Sequence, residues 1–360
     1  MNENLNVLFM PKWDQANPYQ RLLLERISAS GVETNIDDYA NGLFRISGSA
    51  KKYSMKNKKN ILHLHWLSPV FMKICWSKNP IIFYIKYFIL YLDLMVCKFH
   101  GYKIVWTIHN KLAHEGSNKE YELILRRLIF RFASDVVVHS EEAITVLSAL
   151  YGLPIKEKAT VIKHGNYIGV YPEPSESRQV LRSNFKYKTT QKVFLFFGAI
   201  KRYKGVETFI EVANLFSSDS AFLFVIAGEV EDKAYEQLLR DKISSDHLIF
   251  TTSFLDEQTL VNTIKCADAI VLPFSDTLTS GSMLLAMSLG KAIFLSQKGK
   301  VFGCVGEDYP LFFNSIEELG AKIEQVDTAT LSQIGETNLT LAKKNDWEEV
   351  ANHTLSVYLN

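Results

Sequence analysis

Two loops carry most of the chemistry the sequence offers. The first, Gly198–Ala199–Ile200–Lys201–Arg202–Tyr203–Lys204–Gly205, follows the apolar run Val193–Phe197 and precedes a helical pattern beginning at Val206. Its cations Lys201, Arg202 and Lys204 suit an anion, and a solvated basic turn is the plainer alternative. The second, Ser275–Ser282, follows Ala269–Leu272 and leads into the helix formers Met283–Leu289. Pro273 ends the preceding strand because it cannot donate to a ladder, and Gly290 reads as the helix stop. A helix N-terminus presents unpaired N–H groups and about half a positive charge. Gly281 would let a ligand approach the backbone closely, while Thr279 or Ser280 would also serve as an ordinary N-cap. Ser282 completes the set. One basic loop and one amide-rich loop in the same α/β domain could close on a diphosphate from both sides.

The first half of the chain offers proton chemistry instead. His109–Asn110 follows the strand pattern Ile104–Ile108, with His114–Glu115 a few residues on. An imidazole titrating near 6.5 is suited to taking a proton from a hydroxyl. Glu115 could take that role or orient His114, and Asn110 could fix the loop. Trp13, Asp14, Asn17 and Tyr19 follow the first strand; Trp13 offers a stacking face and Asp14 an acceptor or base. Trp66, after the third strand, reads the same way. His63 and His65 lie on one strand face. They suit a metal pair only with a third ligand, which the sequence does not supply, so they read as core or cleft histidines and no metal is expected.

These loops need strands behind them. Strand patterns at Leu5–Met10, Val32–Ile36, Ile61–His65, Ile104–Ile108, Val136–His139 and Ala159–Lys163 are separated by segments that are mostly of helical length. The stretch 42–59 reads as a polar, basic surface loop. The pattern resumes at Val193–Phe197, Phe222–Ala227, Leu248–Phe250, Ala269–Leu272 and Ala292–Leu295. Such alternation predicts two doubly wound parallel sheets. The expected division is residues 1–172, a linker at 173–191 rich in Pro, Ser and charge, a second domain at 192–340, and a C-terminal helix at 341–360. Ligands of such sheets sit beyond the carboxyl ends of the strands, and each loop above follows a strand.

The composition is globular, with 47% hydrophobic and 22% charged residues and a net charge of +1, which implies no nucleic-acid partner. Cys75, Cys97, Cys266 and Cys304 are widely spaced, which suits a reducing cytoplasm rather than a disulfide framework. Pro80–Cys97 is apolar and aromatic, interrupted by Lys86 and Asp93. It reads as a buried core helix or as a helix whose apolar face meets lipid, with Lys73, Lys78, Lys86 and Lys98 favouring anionic headgroups.

The two loops, with Gly228 in VIAGEV, Ala267–Asp268 in CADAIVLP and HGN at 164–166, resemble the donor half of GT-B glycosyltransferases near glycosyltransferase family 4. The resemblance is good over about 160–300. It departs at Ala199, where an arginine often stands, and at Thr277 and Leu285, where the family has a pair of glutamates. It implies two Rossmann-like domains facing a cleft, an acceptor-binding first domain, a nucleotide-sugar-binding second domain, and a last helix, Trp347–Leu359, crossing back to the first. The implied activity is metal-independent transfer of a hexose-type sugar from a UDP- or GDP-linked donor to a glycan acceptor, lipid-linked and of the bacterial surface-polysaccharide kind. No cofactor is implied. The donor would meet Gly198, Lys201, Arg202, Lys204, Glu229, Asp276, Thr279, Ser280, Gly281 and Ser282. The acceptor would meet Trp13, Asn17, Tyr19, Trp66, Asn110 and His114, with His109, Glu115 or Asp14 as base. A GT-B epimerase or phosphorylase, or a non-catalytic nucleotide-sugar-binding subunit, would use the same donor loops. The expected location is the cytoplasm, peripheral on the membrane's inner face where the apolar face of 80–98 meets lipid.

Overall fold

The computed structural model describes residues 4–12, 17–67, 77, 79–112, 118–299 and 303–360. The chain divides into two compact units, Met1–Gly165 with Asn345–Asn360, and Asn166–Lys344. The first unit therefore ends at Gly165 rather than at 172. The stretch expected as a linker contains a helix, Arg178–Asn184, that belongs to the second unit. Arg178 holds it there through an ion pair with Asp268 at 2.6 Å.

The first unit is built on a six-stranded parallel sheet of order β2-β1-β3-β4-β5-β6. Its strands are β1 Leu5–Met10, β2 Glu33–Ile36, β3 Lys59–Leu64, β4 Lys103–Thr107, β5 Asp135–Val138 and β6 Ala159–Val161. β1, β3, β4 and β5 are buried along nearly all their length, as a sheet covered on both faces requires. The order reverses between β1 and β3, so a crevice is expected at the carboxyl ends of those strands.

One feature of this unit differs from the sequence expectation. Part of the expected loop at 42–59 is a helix, Arg45–Tyr53. Its sequence, RISGSAKKY, is a poor helix former, and its N-terminus is satisfied from elsewhere. The Asp93 carboxylate accepts from Ile46 N and Ser47 N, each at 2.8 Å. That contact also explains Asp93 itself, a buried charge in the otherwise apolar helix Pro80–Phe99. This helix is capped by Asn79, with Pro80 in its first turn. Phe83, Leu90, Leu94 and Cys97 form its buried stripe, and Phe83 stacks on Tyr121 at 3.8 Å. Ile81, Ile85, Phe88, Met95 and Phe99 line another face and are exposed, Phe99 to 90%. The helix is long and apolar enough to cross a membrane by length and composition, yet one stripe of it is core.

The second unit has a six-stranded parallel sheet of order β12-β11-β10-β7-β8-β9. Its strands are β7 Lys192–Phe197, β8 Phe222–Ala227, β9 Leu248–Thr251, β10 Ala269–Leu272, β11 Ala292–Ser296 and β12 Phe312–Phe313. Read from β9, this is the 3-2-1-4-5-6 order of a Rossmann sheet, reversing between β7 and β10. The short edge strand β12 has no counterpart in the sequence reading. Asp268 accepts from Val193 N at 2.8 Å and ties the start of β7 to β10. The helix Trp347–Leu359 falls in the first unit: Tyr358 reaches His63, and Lys103 Nζ reaches the Val357 carbonyl.

Candidate functional site

At the β7–β10 reversal of the second unit the two chemistry-bearing loops are joined. Gly205, at φ +65°, packs so closely on the Pro273 carbonyl that no Cβ fits. Ser275 donates from both its amide and its hydroxyl to the Tyr203 carbonyl, at 2.9 and 3.0 Å. Gly228, after β8, lies equally close to the Gly198 carbonyl. Each contact needs a glycine or a bare carbonyl, and together they fix the ends of three strands.

Gly198, at φ +98°, sits in the resulting hollow. A Cβ there would lie 3.1 Å from Ser282 Oγ and 3.6 Å from Lys204 Nζ. A hydroxyl, an ammonium and bare backbone thus converge on one point. The helix Gly281–Ser288 starts at the same place. Ser280 is its N-cap, its hydroxyl accepting from Met283 N at 3.1 Å. The capping reading is therefore right for Ser280, whose oxygen is occupied, and it leaves the Gly281 and Ser282 amides with no acceptor inside the helix. Gly281 is exposed, with the Tyr167 hydroxyl 3.6 Å from where its Cβ would be.

Of the three cations in the basic loop, only Lys204 reaches this hollow. Its ammonium is enclosed although the residue as a whole is half-buried; burial, with Lys201 adding repulsion, pulls it down to about 8. Lys201 lies 3.9 Å from Glu231. Arg202 pairs with Asp232 at 3.4 Å and lies over the Tyr235 ring at 4.3 Å. Thr279 is half-buried, and its carbonyl accepts from Thr277 Oγ1. Asp276 and Glu229 are exposed, and the Glu229 carbonyl accepts from Ile200 N. Tyr167 was not legible as a site residue. It follows HGN, and its amide donates to Ser288 Oγ at 2.9 Å.

In the first unit the strand ends converge on histidines. His65, His109, His139 and His164 follow β3, β4, β5 and β6 by one to three residues. All four, and His63, are buried. His65 Nδ1 lies 3.0 Å from His109 Nε2, and His109 Nδ1 lies 3.4 Å from His139 Nε2. His139 Nδ1 meets the Ile162 carbonyl at 2.8 Å. His63 bridges Tyr358 and Thr107, and His164 Nδ1 meets the Gly165 carbonyl. Burial holds every one of these imidazoles neutral: His63 and His164 fall to about 3 and His139 to about 4, while His65 and His109 also lie well below the usual value. Among the described residues no group of three or more His, Cys, Asp or Glu is arranged to hold a metal ion.

His109 is thus present at the strand ends, with both ring nitrogens already on neighbouring imidazoles. Trp66 is 8% exposed and stacks on His109 at 4.1 Å and 11°. Tyr19, expected at an acceptor, is instead core: it is 2% exposed and sits edge-on to His109 and His164, each at 4.7 Å. Asn17 is half-buried and accepts from Tyr19 N at the helix start. Asn110 is half-buried, its carbonyl held by Arg126 at 3.1 Å. Arg126 is itself buried in an ion pair with Glu122 at 2.6 Å. Trp13, Asp14, His114 and Glu115 lie outside the described residues. His139 and His164 were missed as cluster members; the readable signal was a histidine just past each of four successive strands.

Residues 177–328 match the family described as glycosyl transferases group 1. Over 242 residues the chain is 24% identical to the GDP-mannose:glycolipid 4-beta-D-mannosyltransferase of Xanthomonas campestris pv. campestris, a span covering 67% of this chain and 62% of that protein. The HepE protein of Anabaena, solved with UDP and glucose, superposes at a TM-score of 0.72 with 13% identity, covering 98% of this chain and 99% of that one. Sucrose-phosphate synthase from Thermosynechococcus elongatus superposes at 0.72 with 15% identity, covering 99% and 98%. Residues 177–328 are thus similar to the glycosyl transferases group 1 family, and the two parallel sheets have the GT-B fold of those solved structures.

Proposed function

We propose that the protein transfers a hexose-type sugar from a nucleoside-diphosphate donor to a lipid-linked glycan, as in the assembly of a bacterial surface polysaccharide. The observation that carries this reading is the convergence of Lys204 Nζ and Ser282 Oγ on Gly198, at the strand reversal of the second unit. Departure of a nucleoside diphosphate needs its growing negative charge stabilised. Here an ammonium, a hydroxyl and the amides of a helix N-terminus are already in place, with nothing to reorganise. Lys201 and Arg202 add positive potential around the loop, and the exposed Asp276 and Glu229 are candidates for sugar and nucleotide contacts. The donor is a substrate rather than a cofactor. A uridine or guanosine donor fits the relatives, of which HepE holds UDP and the Xanthomonas enzyme is named for GDP-mannose.

The test is turnover by purified protein of UDP- and GDP-sugars with a detergent-dispersed lipid-linked glycan. Acceptor-dependent release of nucleoside diphosphate, with the sugar recovered on the lipid, is expected. Absence of both turnover and nucleotide binding across that donor set would overturn the assignment.

The acceptor's lipid gives the exposed stripe of Pro80–Phe99 a use. Ile81, Ile85, Phe88, Met95 and Phe99 recur at helical spacing, and Lys86 and Lys98 lie on the same helix. Lodging this stripe at a headgroup boundary makes the protein peripheral on a membrane, with the opposite stripe remaining core. Each large apolar side chain withdrawn from water is worth about 1.5–3 kcal/mol. Ile85→Asp with Phe88→Asp is therefore expected to lower co-sedimentation with anionic phosphatidylglycerol vesicles by about tenfold or more, with nucleotide binding kept. Equal sedimentation of variant and parent would remove the helix from the contact.

A further inference from the structure

The amino edge of the first sheet collects ammonium groups. Lys59 opens β3, Lys103 opens β4, Asp135 opens β5, and Lys158 directly precedes β6. Parallel register sets these four strand starts side by side. Lys98, in the last turn of the helix Pro80–Phe99, joins them. Three consecutive residues gather three of the cations. The Ala133 carbonyl accepts from Lys158 Nζ at 2.7 Å, Ser134 Oγ accepts from Lys98 Nζ at 2.9 Å, and the Asp135 carboxylate lies 2.9 Å from Lys103 Nζ. Lys59 Nζ donates to the Leu359 carbonyl at 2.8 Å, and Lys103 Nζ to that of Val357 two residues earlier.

Carbonyls and a hydroxyl satisfy the donors but carry no full charge. Among the described residues Asp135 is the one carboxylate in ion-pair contact with these four lysines, and Glu157 acts on Lys158 from further off. The positive surplus shows in the groups themselves. Burial, and then repulsion from Lys158 and Lys103, hold the Lys98 ammonium below its usual value; burial, and then Lys103, do the same at Lys59. Lys59 and Lys98 are exposed, and so are apolar side chains next to them, Phe99 to 90% and Leu359 to 45%. Phe99 also ends the exposed stripe of its helix. Cations beside exposed apolar side chains match anionic headgroups over acyl chains. An acidic but polar partner would match the ammoniums and leave Phe99 in water.

We infer that the amino edge of the first sheet is a site for anionic lipid, where Lys59 and Lys98 meet headgroup phosphates and Phe99 and Leu359 turn toward the acyl chains. The inference rests on the peripheral-membrane reading of the helix Pro80–Phe99 and adds selectivity to it. The stripe supplies attachment to any bilayer, and the lysines supply the preference for negative charge. The site lies at the opposite edge from the strand ends that carry the histidines, so its charges can be removed without touching them.

Lys59→Gln with Lys98→Gln removes two charges and keeps a donor near the Leu359 carbonyl and near Ser134. Full-length parent and variant are co-sedimented with vesicles of phosphatidylcholine alone and of phosphatidylcholine with phosphatidylglycerol, at about 0.1 M salt. The parent is expected to bind the anionic vesicles at least about tenfold more tightly than the neutral ones, and the variant to lose at least about tenfold on the anionic vesicles alone. Lys59→Arg with Lys98→Arg is expected to keep the parental preference. A parent without the preference, or a glutamine variant that retains it, would overturn the inference. So would an equal loss on both kinds of vesicle. Inorganic phosphate that raises the parent's Tm but not the variant's, with vesicle binding equal in the two, would give the lysines to a free anion instead. Self-association of the parent that Phe99→Asp abolishes and vesicles do not disturb would put a second copy of the chain on this edge. Ile85→Asp with Phe88→Asp keeps the two readings apart, since it is expected to weaken binding to both kinds of vesicle. If that variant binds both as the parent does, the stripe reading fails whatever the lysines do.

Discussion

Lys204→Met is expected to lower the affinity for a nucleoside diphosphate by about tenfold or more, and Gly198→Ala to lower it further. On the proposed reading the lysine would contribute a charge-assisted hydrogen bond to the diphosphate, worth about 1.5–3 kcal/mol, and methionine keeps its length while removing its charge. At Gly198 a methyl group would fill the space between Ser282 Oγ and Lys204 Nζ, at a backbone angle that side chains resist. The loss therefore combines an occupied phosphate site with local strain. The pH dependence provides a second readout. With its ammonium pulled down to about 8, Lys204 is mostly charged at neutral pH and loses its proton as pH rises through that value. A bound diphosphate favours the charged form, so binding near pH 8 is expected to take up a proton and to weaken above it. Lys204→Met should abolish that uptake. Calorimetry in buffers of different ionisation enthalpy measures affinity and proton uptake together. Parental affinity in a folded Lys204→Met protein would put the diphosphate elsewhere.

Lowering the pH from about 7.5 to 5.5 is expected to melt the first unit well before the second. The sign follows from the buried imidazoles. His63, His139 and His164 titrate at about 3, 4 and 3 when folded, against about 6.5 in the unfolded chain. Their contribution is fully present above the unfolded value and is lost as pH falls, because only the unfolded chain takes up protons there. At pH 5.5 each costs about 1.4 kcal/mol, roughly 4 for the three, and His65 and His109 act in the same direction. Of the chain's histidines only His247 lies in the second unit. The tryptophans, Trp13, Trp66, Trp76, Trp106 and Trp347, all lie in the first. Tryptophan fluorescence thus follows the first unit alone, and far-ultraviolet dichroism follows both. The fluorescence melt should move down by many degrees while a later dichroism step stays. A common shift of both signals would show that histidine burial is not the cause.

The strands were legible because a sheet covered on both faces demands continuous apolar runs, and those runs sit within about two residues of their observed positions. The convergence of Lys204 and Ser282 on Gly198 was legible for a related reason: glycine, lysine and serine lie in short loops directly after strands, so sequence order nearly fixes their place. What was not legible depends on distant partners. Arg45–Tyr53 is helical because Asp93 caps it from another helix. Tyr19 reads as an acceptor-contacting aromatic until the rings around it are known. The histidine row joins residues from three strands, and only parallel register brings their ends together.

The helix Trp347–Leu359 has a further consequence. Trp347 lies so close over Gly165 that no side chain could grow there, and Tyr358 hydrogen-bonds His63 in the third strand. Residues that complete the packing of the first sheet are thus made only after the whole of the second unit. During synthesis the second unit has its whole sequence before the first does, so the usual order of domain folding is inverted. The opening sheet gains its contacts from Tyr358 and Val357 only when the helix Trp347–Leu359 emerges, after the second unit is complete.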